Sequence, residues 1–148
     1  DTWVCGCRIP DSVVLPEYNC LNPDMADERY NTERGMYKPG CGLDKLVFTY
    51  GHDEYMYNML LANNTTIPEE GLRMIRYHSA YCWHDQGAYA HLLAPEDEET
   101  KRWVKLFNQF DLYTKDEDNA LSLDQLWPYY EALLDKYLPG DGDGKLRW

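Results

Sequence analysis

The stretch LDKLVFTYGHDEYMYNMLLAN, residues 43–63, decides the fold class. Wound as a helix, Leu46, Tyr50, Met56, Leu60 and their neighbours form a broad apolar face. The stretch therefore predicts a helix from about Leu43 to Asn63. Gly51 is its weak point, because a mid-helix glycine costs ~1 kcal/mol against alanine. The alternative is that Gly51 makes room for a group close to the backbone.

Downstream, three more helices follow. One opens at Ile67-Pro68-Glu69-Glu70, with proline and acids suited to a first turn, and runs to about Ser79. The next spans about Glu98–Asp111, with Trp103, Leu106, Phe107 and Phe110 at helical spacing. The last opens on the capping-box pair Ser122 and Gln125 and runs to Tyr137, with a kink or restart expected at Pro128. Upstream, residues 1–42 hold Pro10, Pro16, Pro23 and Pro39 among several glycines and read as an irregular segment of the same domain. Only Ser12–Leu15 suggests an extended piece there. The expected architecture is all-α, with 43–148 as the helical, metal-binding portion.

The 148 residues suit about one domain. A formal charge of −12 disfavours nucleic acid and anionic membrane surfaces as partners. No apolar run approaches a bilayer span, and no basic-then-apolar leader is present. The five cysteines form no regular framework, which favours a reducing, cytoplasmic setting. The chain begins at Asp1 rather than Met, so a processed chain or a fragment is expected.

Three residues on three successive helices draw attention. His52, beside Asp53, reads as a core or surface histidine or as a metal ligand. Consecutive helix positions point about 100° apart, so His52 and Asp53 do not both reach one ion without adjustment. His78, in RMIRYHSAYCWH, is flanked by Tyr77, Tyr81 and Trp83. Its ring nitrogens are satisfied either by hydrogen bonds or by a metal with an outer acceptor. Asp111 follows the apolar run Phe107–Phe110 and is either a helix-terminal residue paired with Lys115 or a carboxylate that faces a cation. Two histidines and a carboxylate form the donor set of many non-haem iron sites. His84 and His91 read as surface residues. Cys5-Gly6-Cys7 lacks the second pair of a zinc site, and Asp116–Asn119 fails the calcium-loop pattern.

Longer motifs carry a resemblance. RYNTERGMYKPGCGLDK (29–45), GHDEYMYNML (51–60), MIRYHSAYCWH (74–84), FNQFDLYTK (107–115) and PYYEALLDKYLPG (128–140) occur in order, preceded by DTWVCGCRIPDSVV (1–14). Together they strongly resemble the C-terminal part of the myo-inositol oxygenase family. The resemblance implies an HD-domain-like helical bundle, of which this chain is roughly the distal half. It implies O₂-dependent cleavage of myo-inositol to D-glucuronate at a non-haem, mixed-valent Fe(II)/Fe(III) pair held by four histidines and two aspartates. His52, His78 and Asp111 match three of those six ligands, and Asp53 matches none. Asp1, His78, Ser79 and Lys115 match substrate-contacting positions, and Lys115 also matches the cation expected to stabilise a developing alkoxide. The remaining ligands belong to an upstream segment, so the chain alone is expected to be inactive. A monomer is expected for the complete enzyme. The other readings are a non-catalytic acidic helical remnant, or a mononuclear site built from His52, His78 and Asp111.

Overall fold

The computed structural model describes residues 1–111, 122–139 and 145–148. It is all-α in its regular structure, and no strand forms among the described residues. This agrees with the HD-domain-like helical class. Among the described residues five α-helices succeed one another: α1 His52–Ala62, α2 Glu69–Tyr77, α3 Tyr81–His84, α4 Asp97–Asp111 and α5 Leu123–Tyr137. Among the described residues, no helix is long and apolar enough to cross a membrane.

The first helix is shorter than its sequence pattern. Residues 43–45 form a single 3₁₀ turn, and the helix begins only at His52. The intervening residues are captured by the N-terminal segment. Val4 and Phe48 form an isolated antiparallel bridge. The Thr49 amide donates to the Trp3 carbonyl at 2.9 Å, and the Cys5 amide donates to the Val47 carbonyl at 2.8 Å. These long-range bonds override the helical periodicity. Tyr50, expected on the apolar face, is 71 % exposed as a result.

Residues 1–42 are more ordered than their prolines suggest. Pro16–Leu21 and Pro23–Ala26 are 3₁₀ turns that begin on proline. Ser12–Leu15 is bent rather than extended: the Val13 amide donates back to the Pro10 carbonyl, and Val13 is buried. Gly35, at φ +51°, is obligatory, because a β-carbon there would lie 1.8 Å from the Gly6 carbonyl oxygen.

The second, fourth and last of these helices start for legible reasons. Glu69 and Glu70 lie in the first turn of α2 just after Pro68. Asp97 Oδ2 accepts from the Ala94 amide at 2.8 Å and from the Leu43 amide at 3.0 Å, which ties the start of α4 to the chain entering the helical region. Ser122 and Gln125 form the expected reciprocal capping box. Pro128 lies inside α5 without a restart. Asp116–Asn119 and Asp141–Gly144 lie outside the described residues.

The core forms where the N-terminal segment meets α2, α3 and α4. Val4, Leu43, Trp83, Leu92 and Val104 are completely inaccessible, and Tyr77 nearly so. Phe48, Tyr77 and Trp83 make a chain of tilted and edge-on ring contacts, with centroids 5.5 and 5.9 Å apart. This aromatic mass lies beneath the α2–α3 turn, where His78 sits.

Candidate metal centre

His52 opens α1, and His78 caps the C-terminus of α2. Their Nε2 atoms are 3.0 Å apart, with the rings edge-on. Two nitrogen–metal bonds of about 2.1 Å meeting at a right angle would place the nitrogens about 3 Å apart. The separation is that of a hydrogen bond between the rings, and it also suits two imidazoles, good donors for iron, that would hold one ion together.

The orientation of His78 is set from behind. Its Nδ1 lies 2.8 Å from the Ile75 carbonyl, which can only accept, so Nδ1 carries the proton and Nε2 presents its lone pair. Its own carbonyl oxygen is approached by His84 Nε2 at 3.0 Å and by Asn108 Nδ2 at 3.2 Å. Phe107 of α4 meets the His78 ring edge-on at 5.7 Å. Ser79 Oγ lies 3.3 Å from His52 Nε2, on the same side as the pair.

Asp111, the last residue of α4, is exposed and accepts from the Tyr81 hydroxyl at 3.4 Å. It lies one helical turn beyond Phe107, on the same face of α4. No group of three or more His, Cys, Asp or Glu side chains that could hold a metal occurs among the described residues. The two histidines thus come together, without Asp111 completing a three-donor group. Lys115 lies outside the described residues. Asp1 is exposed and accepts from the Val14 amide at 3.1 Å. Its neighbour Thr2 bonds the Ser79 carbonyl at 2.9 Å, which brings the start of the chain to the site.

The myo-inositol oxygenase family model matches residues 1–148. The chain belongs to the myo-inositol oxygenase family. It is 48% identical over 141 residues to an inositol oxygenase of Danio rerio, covering 95% of this chain and 50% of that protein. The same identity over 141 residues relates it to an inositol oxygenase of Homo sapiens, with 95% and 49% covered. It is 43% identical over 148 residues to inositol oxygenase 1 of Arabidopsis thaliana, with 100% and 46% covered. The chain spans about half the length of the curated relatives it matches.

Within this family member, Asp53 has a structural duty. It is buried, its Oδ2 accepts from the Thr2 hydroxyl at 2.9 Å, and its Oδ1 accepts from the Glu54 amide at 2.9 Å. Gly51 leaves the room: a β-carbon there would lie 2.9 Å from Asp53 Oδ1. His84 is corrected from surface to interior, since it is only 3 % exposed, and burial lowers its pKa from the ordinary histidine value. His91 is partly buried and bonds the Glu33 carbonyl through Nε2 at 2.8 Å. All five cysteines are free thiols. Burial raises Cys7 to about 12, which makes it a neutral core group rather than a ready thiolate. Sequence reasoning passed over Thr2, Tyr81 and Asn108. Thr2 and Asn108 act through partners 51 and 30 positions away, respectively, which no local pattern announces.

Proposed function

We propose that this chain supplies part of the site of an inositol oxygenase, which cleaves the ring of myo-inositol with O₂ to give D-glucuronate. The observation that carries the reading is the 3.0 Å approach of His52 Nε2 and His78 Nε2 within a chain of this family. In this reading His52, His78 and Asp111 hold iron, and two irons belong to the complete site. Bound iron would lower the pKa of a coordinated substrate hydroxyl and activate O₂, with the four electrons that O₂ takes up coming from the inositol.

The chain's own residues bind and orient. The Nδ1–H bond to Ile75 keeps the His78 lone pair on the site. Ser79 Oγ is placed to hydrogen-bond an inositol hydroxyl beside the histidines. The Asp1 carboxylate accepts from another hydroxyl, and the family resemblance gives the Lys115 ammonium the role of stabilising the oxygen that loses its proton. An ammonium has no lone pair, so Lys115 holds substrate without holding metal. Phe107 and the aromatic cluster beneath His78 exclude water from that side. The free thiols support a cytosolic setting, and we take the complete enzyme to be monomeric.

The test mixes the 148-residue chain with the part of a curated relative that it does not cover, then adds Fe(II), O₂ and myo-inositol. Glucuronate should form in the mixture and little or none with the chain alone. His78→Ala should lose iron and product together, whereas Lys115→Ala should lose product and keep iron. Absence of iron uptake by the wild-type chain in the mixture would overturn the reading. That result would favour a non-catalytic helical segment, a view supported by the lack of a three-donor group among the described residues.

A further inference from the structure

We propose that Thr2 is a positioning residue for the histidine pair, clamping the start of α1 to the end of α2 so that docking of the N-terminal segment and cation binding reinforce each other. The inference rests on the metal reading of His52 and His78.

Thr2 is 5 % exposed and bonds the two residues that directly follow the two histidines. Its hydroxyl donates to Asp53 Oδ2 at 2.9 Å, and its amide donates to the Ser79 carbonyl at 2.9 Å. Its own carbonyl accepts from Cys82 Sγ at 3.4 Å, just beyond that turn. One residue thus spans His52-Asp53 on one side and His78-Ser79 on the other.

The clamp is built for rigidity. Asp53 is 1 % exposed and forms no ion pair among the described residues, so the Thr2 hydroxyl and the Glu54 amide are what its oxygens rest on. Removing the hydroxyl leaves a buried carboxylate oxygen short of a donor, and α1 must shift to hydrate it. The flanking backbone cannot absorb that shift elsewhere. Trp3 and Thr49 exchange two bonds, and Cys5 holds Val47, so residues 2–5 and 47–49 move together. A change at Thr2 therefore alters the His52–His78 spacing. By linkage, a cation fixing that spacing tightens the docked segment by the same factor.

The test uses the full 148-residue chain with Zn(II) as a diamagnetic probe. Four variants are compared with wild type: Thr2→Val, which removes only the hydroxyl; Thr2→Ser, which restores it; Thr2→Cys, a weak donor; and Val104→Ala, a core control on α4. Calorimetry should show Zn(II) affinity falling about tenfold in Thr2→Val, the lower end for groups that orient metal ligands. Thr2→Ser should match wild type, Thr2→Cys should be intermediate, and Val104→Ala should keep its affinity although destabilised. If Thr2→Val does not fold, the Ser–Cys gradient carries the same comparison.

A second readout needs no metal. Imidazole ¹⁵N shifts should report an Nδ1-protonated His78 sharing a proton with His52 in wild type, and a changed pattern at both rings in Thr2→Val. Unchanged affinity together with unchanged shifts would overturn the proposal. So would Val104→Ala weakening Zn(II) as much as Thr2→Val does. If wild type binds no Zn(II) but the shifts still respond to Thr2, the metal reading fails and the positioning role stands.

Discussion

The histidine corner and helix α5 are built on opposite terms. Behind His52 and His78 lie Trp83, Tyr77, Val4 and Asp53, all essentially inaccessible. Asp53, Tyr77 and Val4 are bonded to Thr2, Asp44 and Tyr89, across 51, 33 and 85 positions, while the Trp83 indole N–H has no hydrogen-bond partner among the described residues. Helix α5 contains no buried residue. Leu123, Trp127, Tyr130 and Leu134 recur along it at helical spacing and are all exposed, between 44 and 69 %. It is held chiefly at its end, where Thr65 and Thr66 bond the Tyr137 carbonyl. Amphipathic pattern is therefore a poor guide to where this chain stores its stability. The residues that matter are those that connect distant segments.

The largest test of that contrast is Trp83→Ala. The side chain is wholly buried and contacts Tyr77 at 5.9 Å and His84 at 6.1 Å between ring centroids. Its removal should cost about 3–5 kcal/mol, the range for a buried tryptophan or phenylalanine. Urea denaturation followed by circular dichroism measures it. A loss below ~1 kcal/mol would mean the corner is not the centre of the fold.

A smaller effect is expected where α1 and α2 are pinned just above the histidines. Arg76 forks onto Glu54 with bonds of 2.7 and 3.0 Å and lies over the Tyr57 ring at 4.5 Å. Both side chains are about four-fifths buried. Glu54→Gln keeps the shape but removes the charge, so it should cost about 1–2 kcal/mol. Because the pair joins the two helices that carry His52 and His78, Zn(II) affinity should fall with it. Unaltered stability and affinity would show that α1 and α2 are aligned by the Thr2 clamp alone.

How much of this was legible in the sequence follows from what holds each part. The later helices were, because their signals are local: the Glu69-Glu70 start, the Ser122–Gln125 box and the spacing of Trp103, Phe107 and Phe110. The first helix was overestimated, since the residues before His52 are claimed by backbone bonds from Trp3 and Cys5. The donor types on successive helices suggested the histidine pairing and the family motifs named it, but residues 26 positions apart have no local reason to meet. The burial of His84 was missed, as its Gly- and Asp-rich surroundings suggest a surface loop while the Trp83 packing draws it inside.

His84 supplies a test by pH. Burial lowers its folded pKa below the ordinary value, so the unfolded chain binds the proton more readily. Stability should be fullest above pH ~6.5 and should decline as pH falls below it, by the linkage of proton uptake to unfolding. His84→Gln removes the titration and retains an amide donor for the His78 carbonyl. Its melting temperature should fall less steeply than wild type between pH 7.5 and 5.5. Equal slopes would assign the acid sensitivity to other groups.

The smallest effect belongs to α5. Trp127→Gln replaces the largest apolar side chain on the unburied stripe, at a position 49 % exposed. Glutamine is as good a helix former as most residues, so propensity changes little. Trp127 shares the lining of an open groove with Leu134, Leu138 and Leu146. Surface substitutions away from caps and cores stay within about 0.5 kcal/mol, and that is the expected change here. Solubility should rise, because an exposed apolar patch promotes association. Zn(II) affinity should be unchanged, since no bond from α5 reaches the histidine corner among the described residues. A loss of more than ~1 kcal/mol, or a weaker Zn(II) site, would show that α5 supports the corner after all, and the contrast between the two regions would collapse.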